Sequence, residues 1–345
     1  MFKDLIGNDR VKESLRRLQR SGRIANAFLF AGPEGVGKKQ FALRLAASFV
    51  CQNPSDGEAC GACAACRRAA AFNIPKSDKK DDFKQVFSSE HPDVGMVVPF
   101  NKNILVDAVR DLEREANFRP YEARARFFII DEADKMNDAA SNALLKTLEE
   151  PPAASHIILV TSRPDSLLQT ILSRCQIVRF APVADSEIEE FLMTTGRFSP
   201  NDARLTARLA EGSVGRALAL DPDDARARRG RMMEVLESIL IRPDRATLLS
   251  ASETLADAKN KDNFESDLKI LESLIHDIWT LKLAADPARL VNSDLANHLS
   301  RFAQNSRAGE LTTWLRETEL LRGRTEVNIN KRIAADALFM EMTSR

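Results

Sequence analysis

The sequence carries no net charge, because its 50 lysines and arginines are matched by 50 aspartates and glutamates. That balance removes any argument for a chain that holds nucleic acid through a global electrostatic field and leaves only local basic patches for such contact. The chain also lacks a run of about 18 apolar residues, and its start, MFKDLIGNDRVKESL, has neither the basic nor the apolar region of a secretory leader. It is therefore expected to be soluble and cytoplasmic, with no membrane contact. Internal repeats and a proline-rich tail are absent as well. Cysteine is scarce: of five residues, four fall between Cys51 and Cys66. In a reducing compartment such clustering favours metal ligation over disulfides. With 345 residues the chain exceeds one comfortable core and is expected to form two or three domains.

The strongest positive signal is the stretch from Phe28 to Phe49. An apolar run, Phe28-Leu29-Phe30-Ala31, leads into the GxxxxGK loop Gly32-Pro33-Glu34-Gly35-Val36-Gly37-Lys38 and then into a helically patterned segment, Gln40 to Phe49. This is the order a phosphate-binding P-loop needs. Gly32, Gly35 and Gly37 allow a tight backbone whose N–H groups converge on phosphate oxygens, and Lys38 adds a mobile positive charge. One position departs from the pattern. A hydrolysing P-loop places Ser or Thr after the lysine as a magnesium ligand, and this chain has Lys39, whose ammonium cannot coordinate a cation.

A second apolar run, Phe127 to Ile130, ends in Asp131 and Glu132, the pattern of a buried parallel strand with acids at its tip. In a nucleoside triphosphatase the first acid helps hold hydrated magnesium and the second polarises the attacking water. Another buried strand, Ile157 to Ser162, ends in the hydroxyls of Thr161 and Ser162, where a side chain can sense a γ-phosphate. Gly95 to Pro99 is read as a central strand, and His91 near Asp93 as a turn rather than a catalytic pair.

Cys60, Cys63 and Cys66 are spaced CxxCxxC, with Cys51 nine positions upstream. Four thiolates suit a closed tetrahedral structural zinc; an iron–sulfur cluster is the alternative, disfavoured by the lack of an accompanying redox motif. Residues 73–90, polar and without periodicity, read as a mobile surface insertion. Arg174, in Ser173-Arg174-Cys175, follows the strand Ile157 to Ser162 and a short helix from Leu167 to Ser173, and precedes a last strand, Ile177 to Phe180. Such an arginine either reaches the nucleotide of a neighbour in a ring or makes a surface salt bridge, and the residues alone leave both open. Beyond Ala181-Pro182-Val183 the chain is almost all helix. Arg216 lies near the start of one helix, residues 222–232 are strongly charged and hinge-like, and amphipathic helices dominate from Met233.

Taken together, the P-loop, the cysteine cluster behind it, Asp131-Glu132-Ala133-Asp134, the run Leu144 to Pro152 and Ser173-Arg174-Cys175 resemble the bacterial clamp-loader AAA+ proteins. The resemblance is dense from residue 2 to about 220 and weaker beyond. It implies an α/β RecA-like AAA+ core at 1–181, with a zinc module at about 51–72 and a variable insertion at 73–90. A small helical lid at 182–225 and an all-α collar at 226–345 would follow. It also implies partners: gamma/tau and delta subunits in a pentamer of DNA polymerase III that opens the beta sliding clamp and places it on primed DNA. Carried onto this chain, the resemblance makes Cys51, Cys60, Cys63 and Cys66 zinc ligands and Asp131 and Glu132 the Walker B acids. Thr161 or Ser162 becomes sensor 1, Arg216 lies near sensor 2, and Arg174 becomes an arginine finger acting in trans on ATP and Mg²⁺ held by a gamma/tau neighbour. Lys39, and Asn26 where gamma/tau chains commonly have histidine, favour the branch of the family that does not turn over ATP. Whether its own loop binds nucleotide stays open. Two other readings remain: an active ATPase of gamma/tau type, and an independent AAA+ recombination or repair factor.

Overall fold

The computed structural model describes residues 2–22, 24–257, 263–284, 290–324 and 329–343. The chain divides into two compact units, one of Met1–Phe191 with Glu211–Arg216, the other of Leu192–Ala210 with Ala217–Arg345.

The first unit is a mixed sheet with helices on both faces, consistent with an AAA+-like fold. Its strands are β1 (Ala27–Ala31), β2 (Phe87–Ser88), β3 (Val94–Val97), β4 (Arg126–Ile130), β5 (Ser155–Thr161) and β6 (Gln176–Arg179), in the spatial order β2-β3-β4-β5-β1-β6. All neighbouring pairs are parallel except β2 with β3. Alternation along the strands builds two cores. Phe28, Phe30, Phe127 and Ile129 face α1 (Asp9–Ser21) and α2 (Lys38–Val50), whereas Leu29, Phe128 and Ile130 face α4 (Val106–Ala116) and α5 (Asp138–Glu149). β1, β3, β4 and β5 are buried along their whole length, which is why they read as continuous apolar runs, whereas the edge strand β6 is largely exposed. Each fully buried Leu or Phe contributes roughly 1.5–3 kcal/mol, so the aromatic face against α2 is a large part of what holds the P-loop in place.

Three sequence expectations need correction. Residues 73–90 are not a detached surface loop: Phe83 and Phe87 are buried in the α2-side core, and Phe87 and Ser88 form β2 on the edge of β3. Two apolar anchors among many charges suffice for docking but are too few to show a period. As a result β3 is second from the sheet edge rather than central. Finally, residues 222–232 are no hinge, but part of one helix, α10 (Pro222–Leu240). Asp221 caps it by accepting from the Asp223 N–H, Pro222 sits where its missing donor costs nothing, and its charges pair along the helix, Arg226 with Asp223 and Arg228 with Asp224. His91 and Asp93 are structural, as expected. The Asp93 carboxylate accepts the backbone N–H groups of Tyr121, Glu122 and Ala123 at 2.7–2.9 Å, and His91 Nδ1 accepts from the Asp93 N–H.

The second unit is helical among its described residues. Its core joins α10, α11 (Arg245–Ala256), α12 (Phe264–Lys282), α13 (Ala296–Gln304), α14 (Ala308–Gly323) and α15 (Lys331–Thr343). No helix among the described residues is long and apolar enough to cross a membrane. Asp277, fully buried on α12, accepts from the backbone N–H groups of Val291 and Asn292 at 2.8 and 2.6 Å. Asp267, ten residues earlier on α12, is buried with less support: Arg228 stands 3.8 Å away and Oδ1 has no hydrogen-bond partner.

Burial pushes the Asp267 carboxyl up to about 6, against the opposing pull of Arg228 and Arg231. A carboxyl whose folded value lies above its unfolded one takes up a proton on folding between the two values, so stability falls as pH rises from 3.8 to about 6. Asp267→Asn, which mimics the protonated form, should flatten that slope and raise the urea midpoint of the wild-type chain at pH 7; urea titrations at several pH values measure both effects.

Candidate functional site

The P-loop runs from the end of β1 to α2. Gly35 and Gly37 adopt φ values of 73° and 94°, and Gly37 caps α2. A side chain at Gly35 would also strike the Ser213 hydroxyl, because residues 211–216 fold against the loop and the Gly215 N–H donates to the Gly35 carbonyl at 2.8 Å. Glycine is thus required there twice, for backbone and for space. Gly32 closes the turn beside Phe180, whose carbonyl a Cβ would meet at 2.4 Å.

Lys38 is buried, and its ammonium donates to the carbonyls of Gly32, at 2.7 Å, and Pro33. Burial pulls its pKa below the ordinary lysine value, while Glu34, Asp134 and Asp131 pull the other way. Lys39 leaves the first turn of α2 and reaches across the sheet to β4, where its Nζ lies 2.9 Å from Asp131 Oδ2. The Asp131 side chain is only 14% exposed, whereas that of Lys39 is 39% exposed. Glu132, in left-handed backbone at φ 50°, pairs with Lys135.

The last acid of Asp131-Glu132-Ala133-Asp134 has a separate role that the sequence reading did not assign. Asp134 accepts the Thr161 hydroxyl at 2.8 Å, the Ser162 N–H at 3.3 Å and the Arg163 guanidinium. Burial opposes its ionisation, but these donors outweigh burial and hold its pKa below the ordinary carboxylate value. Thr161 is therefore the buried hydroxyl tied to the acids, and Ser162 is exposed. Arg216 begins its helix with its N–H on the Ser213 hydroxyl and pairs with Glu211 at 2.8 Å. The structure thus gathers Gly32, Gly35, Gly37, Lys38, Lys39, Asp131, Glu132, Thr161, Ser162 and Arg216 at the carboxyl-terminal ends of the parallel strands.

Arg174 is not among them. It precedes β6, and the register pairs Gln176 with Phe28, at the amino-terminal end of β1. Its guanidinium bonds Glu149 at 2.8 Å and the Thr170 carbonyl at 3.0 Å. With Asn26, Thr147, Pro151 and Pro152 it lines a cleft of about 180 Å³ on that opposite rim. Glu149 and part of this cleft fall in or beside the run Leu144 to Pro152, but the sequence reading gave that run no role toward Arg174.

Magnesium, which a P-loop ordinarily holds, does not fit these residues: position 39 offers an ammonium in place of a hydroxyl, and the acid that would orient the hydrated ion is already paired with it. Zinc fits its site. The sulfurs of Cys51, Cys60, Cys63 and Cys66 lie within 4.8 Å of one another, with Cys51 to Cys63 and Cys60 to Cys66 both at 4.0 Å. A tetrahedral zinc with bonds of about 2.3 Å sets sulfur separations near 3.8 Å. Backbone N–H groups of Cys60, Cys63 and Cys66 donate to the sulfurs of Cys51, Cys60 and Cys63 at 3.3–3.4 Å, which stabilises thiolates. The cluster is consistent with a structural zinc, seated between α2 and the short α3 (Ala64–Ala70).

The sequence comparisons agree with this architecture. Residues 7–184 match the family described as "DNA polymerase III, delta subunit", and residues 226–341 match its C-terminal counterpart. The chain is 31% identical to DNA polymerase III subunit delta' of Escherichia coli, over 84% of this chain and 81% of that protein. It is 29% identical to subunit delta' of Bacillus subtilis, over 93% and 92%. With subunit tau of B. subtilis it shares 28% identity over 84% of its own length but 48% of that protein's. The chain belongs to the AAA+ clamp-loader family and is related to the delta', tau and gamma subunits of DNA polymerase III.

One zinc per chain is the expected metal content of the purified protein by elemental analysis, and Cys66→Ser should lose it. Because α3 and the adjoining core rest on this cluster, the same variant should also unfold at a temperature several degrees lower, measured by calorimetry.

Proposed function

We propose that this chain is a non-hydrolysing, delta'-type subunit of the DNA polymerase III clamp loader. It helps place the beta sliding clamp on primed DNA and supplies Arg174 in trans to ATP and Mg²⁺ held by a gamma/tau neighbour. The observation that carries this reading is the separation of the two rims of the sheet. Arg174 lies at the amino-terminal ends of the strands and the P-loop at their carboxyl-terminal ends. Its guanidinium is therefore unable to serve its own loop, while its cleft offers a surface against which a neighbour's nucleotide can sit. A planar, permanently charged guanidinium suits the charge that develops on a transferring phosphoryl group.

The pairing of Lys39 with Asp131 supports the other half of the reading, since it removes both magnesium contacts that hydrolysis uses. On this reading residues 182–225 act as the lid, and residues 226–345 as the collar through which the chain joins delta and gamma/tau. The zinc module, about 51–72, is a structural support. DNA and clamp are engaged by the assembled complex, in keeping with a chain of zero net charge.

Arg174→Ala in a reconstituted loader should slow single-turnover ATP cleavage at the one adjoining gamma/tau site by about 10³-fold, with assembly intact by gel filtration. A loader in which only that site is competent gives the measurement, and an unchanged rate would end the proposal.

A further inference from the structure

We propose that Lys39 is the resident cation of this chain's own nucleotide site, so that the P-loop takes a nucleoside triphosphate as the metal-free polyanion and retains it unhydrolysed. The inference deepens the reading above and rests on its non-hydrolysing site. The Lys39 ammonium stands 2.9 Å from the acid that would otherwise orient hydrated magnesium, and it has no lone pair with which to bind a metal. A divalent ion brought to Asp131 would have to displace this ammonium or lie beside it, against direct charge repulsion.

The anion cradle, by contrast, is intact. The backbone N–H groups of Gly35, Val36 and Gly37 have no intramolecular acceptor among the described residues. Lys38 is 6% exposed, and its three ammonium protons meet two carbonyls, of Gly32 and Pro33. One proton of a buried cation is thus left for a phosphate oxygen, at the amino terminus of a helix of 13 residues. Lys38 and the helix terminus are common to every P-loop, and the Lys39 ammonium adds positive charge at the acid where magnesium would otherwise bring it. The site therefore retains what binds a polyphosphate and has replaced what activates it.

Calorimetric titration of the full-length chain with ATP tests this, in excess EDTA and again in millimolar Mg²⁺. The wild-type chain should bind ATP in EDTA, no more weakly than in Mg²⁺, and release it intact. Lys39→Thr, which frees Asp131 and supplies a hydroxyl, should reverse the sign and bind about tenfold more tightly with Mg²⁺ than without. Lys39→Ala, with neither charge nor hydroxyl, should lose about tenfold in EDTA. Tighter binding by the wild-type chain in Mg²⁺, no binding under either condition, or a Lys39→Thr chain indifferent to Mg²⁺ would each overturn the proposal. The titration uses this chain alone, so its failure is distinct from a failure of the Arg174 role, which is read at a neighbour's site.

Discussion

The parallel pairing of β1 with β5 on one side and β6 on the other is the constraint from which the site follows. Parallel strands send all their carboxyl-terminal ends to one rim. The P-loop after β1, the acids after β4 and the Thr161 hydroxyl ending β5 therefore converge without any of them being adjacent in sequence. The same pairing sends the residues that precede each strand to the other rim, and Arg174, two residues ahead of β6, goes with them. No local rearrangement of Arg174 changes this, because β6, though an exposed edge strand, is held in parallel register to β1, which is buried. A single topological fact thus gives the chain two faces of different chemistry, one carrying the glycine loop, its lysines and the acids, and one bearing an arginine away from them.

Much of this was legible in the sequence, and the reasons are specific. β1, β4 and β5 are doubly covered strands, so their apolar runs needed no period to be found. Gly35 and Gly37 announce left-handed backbone that other residues adopt only with strain, and the CxxCxxC spacing with Cys51 brings four sulfurs together through two short segments. What stayed hidden is what depends on partners from elsewhere in the chain. The identity of Lys39 signals the loss of a magnesium ligand, but only the placement of β4 beside β5, and β5 beside β1, shows that its ammonium ends on Asp131. Asp134 looks like one acid among four residues until Thr161 is brought to it. In α10 the charge density that suggests a hinge is a set of ion pairs one turn apart, a pattern as compatible with a helix as with a solvated linker. Phe83 and Phe87 anchor a stretch otherwise too polar to betray its docking.

The two rims also differ in how their charges are held. At the P-loop, Asp131 is largely buried and paired with Lys39, and Asp134 is held ionised by donors from Thr161, Ser162 and Arg163. These contacts are tied into the ends of buried strands, and breaking one leaves a shielded carboxylate short of a partner, which is costly. At the opposite rim Arg174 is about one-third exposed and its partner Glu149 about half. Exposed pairs of this kind are worth at most about 1 kcal/mol, since water and salt screen them and both side chains lose freedom. A guanidinium held so lightly can exchange a carboxylate for a more highly charged phosphate at little cost, whereas the Lys39 ammonium, though its own side chain is 39% exposed, is seated on a carboxylate that is only 14% exposed. On the proposed trans role, that asymmetry is what the arrangement requires: a fixed charge in the chain's own loop, which keeps the loop's shape and silences its chemistry, and a transferable charge on the face that meets a neighbour.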